Sequence, residues 1–156
     1  MSIRNITVVL VMLLVSGALY AADEPIAGTW KLNLAKTKYD AGAPPKDIVE
    51  TFTPGSGNTL NHATDRVNPK GDKTHEEFTV GFDGKTFPYK GSPNRDAVAV
   101  KRVAPSLYQV TYKKNGEANQ INYWVVSKDG KTLTTVSNGL TSDNQPYHRL
   151  VVFDKQ

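Results

Sequence analysis

Three histidines, His62, His75 and His148, are the first residues whose type invites chemistry. A zinc site gathers its ligands at short, repeated spacings, and these three are scattered. His75-Glu76-Glu77 lies in an alternating, strand-like stretch, without the helix that a zinc-protease motif requires. A turn over Pro69–Gly71 would bring His62 and His75 onto adjacent strands, but solvent-facing histidines are the expectation. The sequence therefore implies no metal. Asp65 beside Arg66, and Glu76 beside Glu77, supply acid and base groups with nothing in the sequence to perturb them. Ser56 stands between two glycines, which reads as a turn with no base nearby. A Gly-x-Ser-x-Gly elbow, a phosphate loop and a dinucleotide fingerprint are all missing from the sequence. No catalytic residue and no cofactor is expected.

The remaining chemistry lies in tyrosines and one arginine spaced by twos, and their meaning depends on the strands that carry them. Gly28 to Leu34 places Trp30, Leu32 and Leu34 on one side of a strand and Thr29, Lys31 and Asn33 on the other. Lys36 to Lys46, with Gly42, Pro44 and Pro45, reads as a loop. Further strands follow at Ile48–Thr53, Leu60–Val67, Thr74–Phe82, Thr86–Lys90, Ala97–Val103, Leu107–Lys113, Gln120–Ser127, Leu133–Ser137 and Tyr147–Phe153. Asp83-Gly84, Asn115-Gly116 and Asp129-Gly130 between them are hairpin signals, and Pro88 marks its strand as irregular or at an edge. Ten short strands without a helical period predict an all-β fold, an up-and-down antiparallel barrel that removes its edges by closing.

Residues 1 to 21 read as a secretory leader. Arg4 precedes the apolar run Ile6–Val15, and Leu19-Tyr20-Ala21 ends it on a small residue before Ala22. This run is too short for a membrane anchor, which needs roughly 20 apolar residues. The expectation is a secreted or periplasmic monomer whose single domain spans residues 22–156. Leaving out Arg4, 18 Lys and Arg face 15 Asp and Glu in that domain. The excess is dispersed as Lys36/Lys38, Lys101/Arg102 and Lys113/Lys114, whereas nucleic-acid binding calls for a focused basic patch. Without cysteine, stability must come from packing and sheet hydrogen bonds.

Gly28-Thr29-Trp30-Lys31-Leu32 on the first strand, the train of hairpins and the ending Val152-Phe153-Asp154-Lys155-Gln156 resemble the calycin group, the lipocalins and fatty-acid-binding proteins. The likeness is nearest to small secreted bacterial lipocalin-like proteins, and it spans the chain after the leader. It implies that Gly28 and Trp30 close one end of the barrel and that Arg149, a basic residue on the last strand, packs across Trp30. A guanidinium suits that place because it lies flat on an indole while donating to strand ends. Plain core is the other reading of Trp30. The family's carboxylate clamp, aligned through the chain ends and the Asp129-Gly130-Lys131 turn, falls on Val125, Val151 and Phe153, all apolar.

The same alignment turns Tyr147, Arg149, Val151 and Phe153 inward, together with Val110, Tyr112, Tyr123 and Val125. It implies a cavity of apolar walls with Tyr112, Tyr123, Tyr147 and Arg149 as polar contacts, suited to a small apolar or aromatic ligand. The alternative is a barrel filled by its own side chains, serving as a structural or protein-interaction domain.

Overall fold

The computed structural model describes residues 24–40, 42–141 and 145–156; the leader expected over residues 1–21 lies outside them. Eleven strands follow in chain order. They are β1 (Gly28–Leu32), β2 (Lys38–Tyr39), β3 (Asp47–Pro54), β4 (Thr59–Val67), β5 (Lys73–Gly81), β6 (Asp83–Lys90), β7 (Ala97–Ala104), β8 (Leu107–Lys114), β9 (Glu117–Val126), β10 (Thr132–Leu140) and β11 (Pro146–Lys155). From β3 onward each pairs antiparallel with the next, and β11 returns to β1 through Trp30↔Lys155 and Leu32↔Phe153. Ten strands thus close into an antiparallel barrel, as the alternation and hairpin spacing imply.

The first stave is broken. The chain leaves β1 at Leu32, makes a 3₁₀ turn over Leu34–Lys36, and re-enters as β2, which pairs with the other half of β11 through Tyr39↔Arg149. Asn33 and Thr37 bridge the break: Asn33 N donates to the Val152 carbonyl at 2.8 Å, and Val152 N donates to Thr37 Oγ1 at 3.0 Å. Leu34, expected on the inner face, is therefore half exposed on the turn. Lys38–Tyr39, expected in a loop, adds a short strand that carries Tyr39 to the barrel interior.

The turns divide by their dihedral angles. Asn115 and Gly116 both have positive φ, 52° and 86°, as a two-residue type I′ hairpin demands. At Asp83-Gly84 and Asp129-Gly130 only the glycine does. Asp83-Gly84 opens β6 within an irregular pairing to β7, and Asp129-Gly130 belongs to a longer loop in which Gly130 N donates to the Ser127 carbonyl. A bulge in the β8–β9 pair matters most. Tyr112 pairs with Gln120 but the next residue, Lys113, pairs with Ala118, so Asn119 is an extra residue. One extra residue exchanges the two faces of the strand beyond it.

The core fills one end of this barrel. Ile26, Trp30, Phe52, Leu60, Val80, Val100, Tyr108, Leu133 and Phe153 are all buried there. Their burial supplies most of the fold's stability, at roughly 1.5–3 kcal/mol for each large apolar side chain.

Candidate ligand-binding chamber

At the apolar end the Trp30 indole N–H donates to the Ile26 carbonyl at 2.8 Å. The cation over its ring is Lys155, with Nζ 5.0 Å from the ring centre. Arg149 does not fill the place that the family resemblance gave it. β11 pairs Lys155 with Trp30, and Arg149 lies six residues further along, about 20 Å away at strand rise. Gly28 adopts φ +132°, and a Cβ there would stand 2.8 Å from Lys155 Cε, so a glycine lets the lysine stem reach the indole. Glu24 finishes the closure by accepting from both Arg102 and the Tyr108 hydroxyl.

A layer of rings divides the interior. His62 is buried between Phe52 and Phe78, with ring centres 4.4 and 4.5 Å away, and Trp124 lies 5.5 Å off. The expectation of solvent-facing histidines fails here, although His75 and His148 are exposed. β4 turns Leu60, His62, Thr64 and Arg66 to one face, and closure of the barrel makes that face the inner one. The His62 Nε2 lies 2.5 Å from Glu50 Oε2.

Beyond this layer the inner face turns polar and encloses a chamber of about 60 Å³. Three guanidinium groups, Arg66, Arg95 and Arg149, and two carboxylates, Glu50 and Glu76, line it. Tyr39, Tyr89, Tyr112, Gln120, Asn122, Thr135 and Ser137 line it too, and Ile48, Val151 and Phe153 supply its apolar wall. Outside lies a mouth of about 570 Å³, which shares Arg95, Gln120 and Arg149 with the chamber and adds Tyr147, Lys114 and Leu140.

Most of these charges are committed. Arg95 reaches in from the β6–β7 connection and donates to Gln120 Oε1 at 2.6 Å and to the Tyr89 hydroxyl at 3.2 Å, with Glu76 at 3.5 Å. Its guanidinium lies 4.3 Å from the Tyr112 ring centre. The Tyr89 hydroxyl in turn donates to Glu76 at 2.5 Å, and Glu50 is held by His62. Arg66 and Arg149 are different. Among the described residues neither has a carboxylate within ion-pair distance. Arg149 lies between two rings, 4.1 Å from the centre of Tyr147 and 5.1 Å from Tyr39. Its buried Nε has no hydrogen-bond partner among the described residues, nor does the Thr135 hydroxyl oxygen.

Burial raises the phenol pKa of Tyr39, Tyr89, Tyr112 and Tyr147, while nearby arginines pull the other way. These tyrosines remain neutral donors at physiological pH. The chamber therefore combines two guanidinium groups that lack anions, phenol donors and an unsatisfied hydroxyl, an arrangement that can hold a small anionic group.

Of the four tyrosine and arginine contacts expected from sequence, the structure brings Tyr112, Tyr147 and Arg149 to the chamber and its mouth. Tyr123 is not among them. Together with Val125 it faces outward, and Trp124 takes the inner face. Without the bulge at Asn119, a two-residue Asn115-Gly116 hairpin would have turned Tyr123 inward. Sequence reasoning missed Arg95 and Glu50 and named Arg66 and Glu76 only as acid and base groups with nothing to perturb them, because a charged inner face contradicts the usual apolar-inside pattern. Two signals were available: β4, whose alternate residues Leu60, His62, Thr64 and Arg66 grow more polar along the strand, and β5, where Glu76 shares a face with Phe78 and Val80.

No family model matches this chain, and neither does any curated protein. Solved structures do match its fold. The fluorescent protein UnaG is 15% identical with a TM-score of 0.56, over 85% of this chain and 98% of that one. A point mutant of UnaG is 14% identical with a TM-score of 0.59, over 85% and 97%. A zebrafish ileal bile acid-binding protein complexed with cholic acid is 12% identical with a TM-score of 0.51, over 85% and 99%. This chain has the calycin-type barrel fold. At these identities the likeness concerns architecture alone.

Proposed function

We propose that this barrel binds a small amphipathic molecule, with an anionic group, a carboxylate, held in the chamber by Arg66, Arg149 and Thr135. The observation that carries the reading is the pair of guanidinium groups without carboxylate partners beside a buried, unsatisfied hydroxyl. A chamber of about 60 Å³ takes a carboxylate-sized group, equivalent to roughly two waters at about 30 Å³ each. The apolar or aromatic part of the ligand then lies in the mouth against Leu140 and the Tyr147 ring. This differs from the apolar or aromatic ligand expected from sequence, for which Arg149 was the one charged contact, because an anion desolvated here meets fixed cations that offset the loss of water. Export through the apolar leader would place this activity in the periplasm or outside the cell. An intact mass beginning near Ala22 supports that placement, and retention of Met1 in the mature protein contradicts it.

Calorimetric titration with octanoate and with octanol, which share a chain length, tests the ligand class. Octanoate is expected to bind at least tenfold more tightly, and Arg149→Met to remove that preference. Equal affinities would overturn the anionic reading. The small chamber itself favours a second reading, a barrel filled by its own side chains. Failure of both ligands to bind would favour that one.

A further inference from the structure

Gly139 interrupts the pattern of its strand. Leu133, Thr135 and Ser137 are the buried alternate residues of β10, and period two puts Gly139 next on that inner face, where a side chain is expected. A glycine inside a strand weakens it and marks a place where another group comes close. Gly139 does not have the positive φ of the turn glycines, so space accounts for it and backbone angle does not. A Cβ there would stand 2.9 Å from the Tyr147 hydroxyl oxygen, 3.0 Å from Cζ and 3.1 Å from Cε1. Tyr147 is its direct partner on β11, so the ring leans across β10 into the gap that the missing side chain leaves.

The ring so placed carries Arg149. Its guanidinium lies over Tyr147, 4.1 Å from the ring centre, and Tyr39 lies 5.1 Å off. β2, the short strand that re-enters after the break in the first stave, pairs Tyr39 with Arg149. Arg149 stands at the boundary between the chamber and its mouth and lines both. Arg95, at the same boundary, is tied there by Gln120, Tyr89 and Glu76. Arg149 has no carboxylate within ion-pair distance among the described residues. A long side chain with such a charge extends to water unless something holds it. Ring faces attract a guanidinium without cancelling its charge, whereas a carboxylate would neutralise it.

On the anionic reading proposed above, we infer that Gly139, Tyr147 and Tyr39 are positioning residues of the anion site. Gly139 gives the Tyr147 ring its place, and the two rings keep the Arg149 guanidinium at the chamber boundary with its charge free for a ligand carboxylate. The ring faces do this, and the Tyr147 phenol is not needed.

Calorimetric titration of octanoate and octanol into full-length variants tests this through the ratio of the two affinities, because damage to the mouth or to folding weakens both ligands alike. Tyr147→Leu, Tyr39→Leu and Gly139→Ala are each expected to lower the preference for octanoate by about threefold or more, the worth of a guanidinium–ring contact. Tyr147→Phe keeps the ring and should keep the preference. Adding Gly139→Ala to Arg149→Met should lower it no further, since the glycine acts through that arginine. Where Gly139→Ala does not fold, Tyr147→Leu decides the matter. A preference that Arg149→Met abolishes but Tyr147→Leu leaves intact overturns this inference alone and lets the anionic reading stand. Equal losses in Tyr147→Phe and Tyr147→Leu would assign the effect to the phenol and overturn it too. Wild-type protein without a preference for octanoate sinks the anionic reading, and the positioning role with it.

Discussion

The two ends of this barrel are built from the same staves and differ in what they turn inward. At the Trp30 end the inner face carries Phe52, Leu60, Val80, Val100, Leu133 and Phe153, packed without room for a guest. At the Arg149 end the same strands turn in Glu50, Arg66, Glu76, Tyr112, Asn122 and Ser137 around a chamber. His62, paired with Glu50, marks the change. One end is held by apolar packing, while the other holds polar groups that are mostly paired with one another and a few, Arg66, Arg149 and Thr135, whose desolvation a ligand would offset. A strand need not be uniform along its inner face: fold and binding can be assigned to different halves of each stave.

Removing the Trp30 ring is the strongest challenge to this division. Trp30→Ala should cost roughly 3–5 kcal/mol and leave the protein close to unfolding, as denaturant titration would read. Arg149→Met at the other end should leave the midpoint unchanged or raise it, because it relieves an unsatisfied buried Nε. A comparable loss from both would end the distinction.

High pH attacks the polar end. Burial raises the pKa of its tyrosines above the ordinary 10.0. The stability linked to them is therefore complete below that value and is lost as pH rises towards their folded-state pKa values. Ultraviolet titration should show these phenols ionising together with unfolding above pH 10.0. Smooth ionisation of every tyrosine near 10.0 in a folded protein would show that the chamber is open to solvent.

A smaller effect belongs to Gly28. Gly28→Ala forces a side chain into φ +132° and against Lys155 Cε, and should cost about 1–3 kcal/mol in thermal or denaturant unfolding. A neutral result would mean that the Lys155 stem moves aside without loss. The smallest effect separates the two basic residues of β11. A double-mutant cycle between Trp30 and Lys155 should show a coupling of about 0.5–1 kcal/mol, and one between Trp30 and Arg149 should be additive. Coupling to Arg149 would bring the two ends together and contradict the register of β11.

Much of the architecture was legible in the residues themselves. Period-two alternation in ten segments and the turns between them specified antiparallel strands, and a meander of that many strands closes. Trp30 was legible as sharing a face with Leu32, whereas Tyr112, Tyr147 and Arg149 were turned inward by the likeness to the calycin group. The charged groups of the chamber were not: Arg66 lies in a strand that reads as polar, and Glu76, although it alternates with Phe78 and Val80, is of a residue type rarely turned into a core. Arg95 reaches the interior from a connection, where no periodicity operates.

The sequence by itself determined the period, the turn positions and the all-β class, since these follow from local sterics and from side chains alternating along a strand. The tertiary structure decided which face of each strand turned inward. One extra residue at Asn119 exchanges the faces of β9, placing Trp124 in the core and Tyr123 outside. Closure of β11 onto β1 fixed Lys155, and not Arg149, over Trp30. Closure also gathered Arg66, Arg95 and Arg149, which are far apart in the chain, around one chamber. The physical reason is that alternation gives a strand two faces without naming the inner one, and only long-range pairing names it.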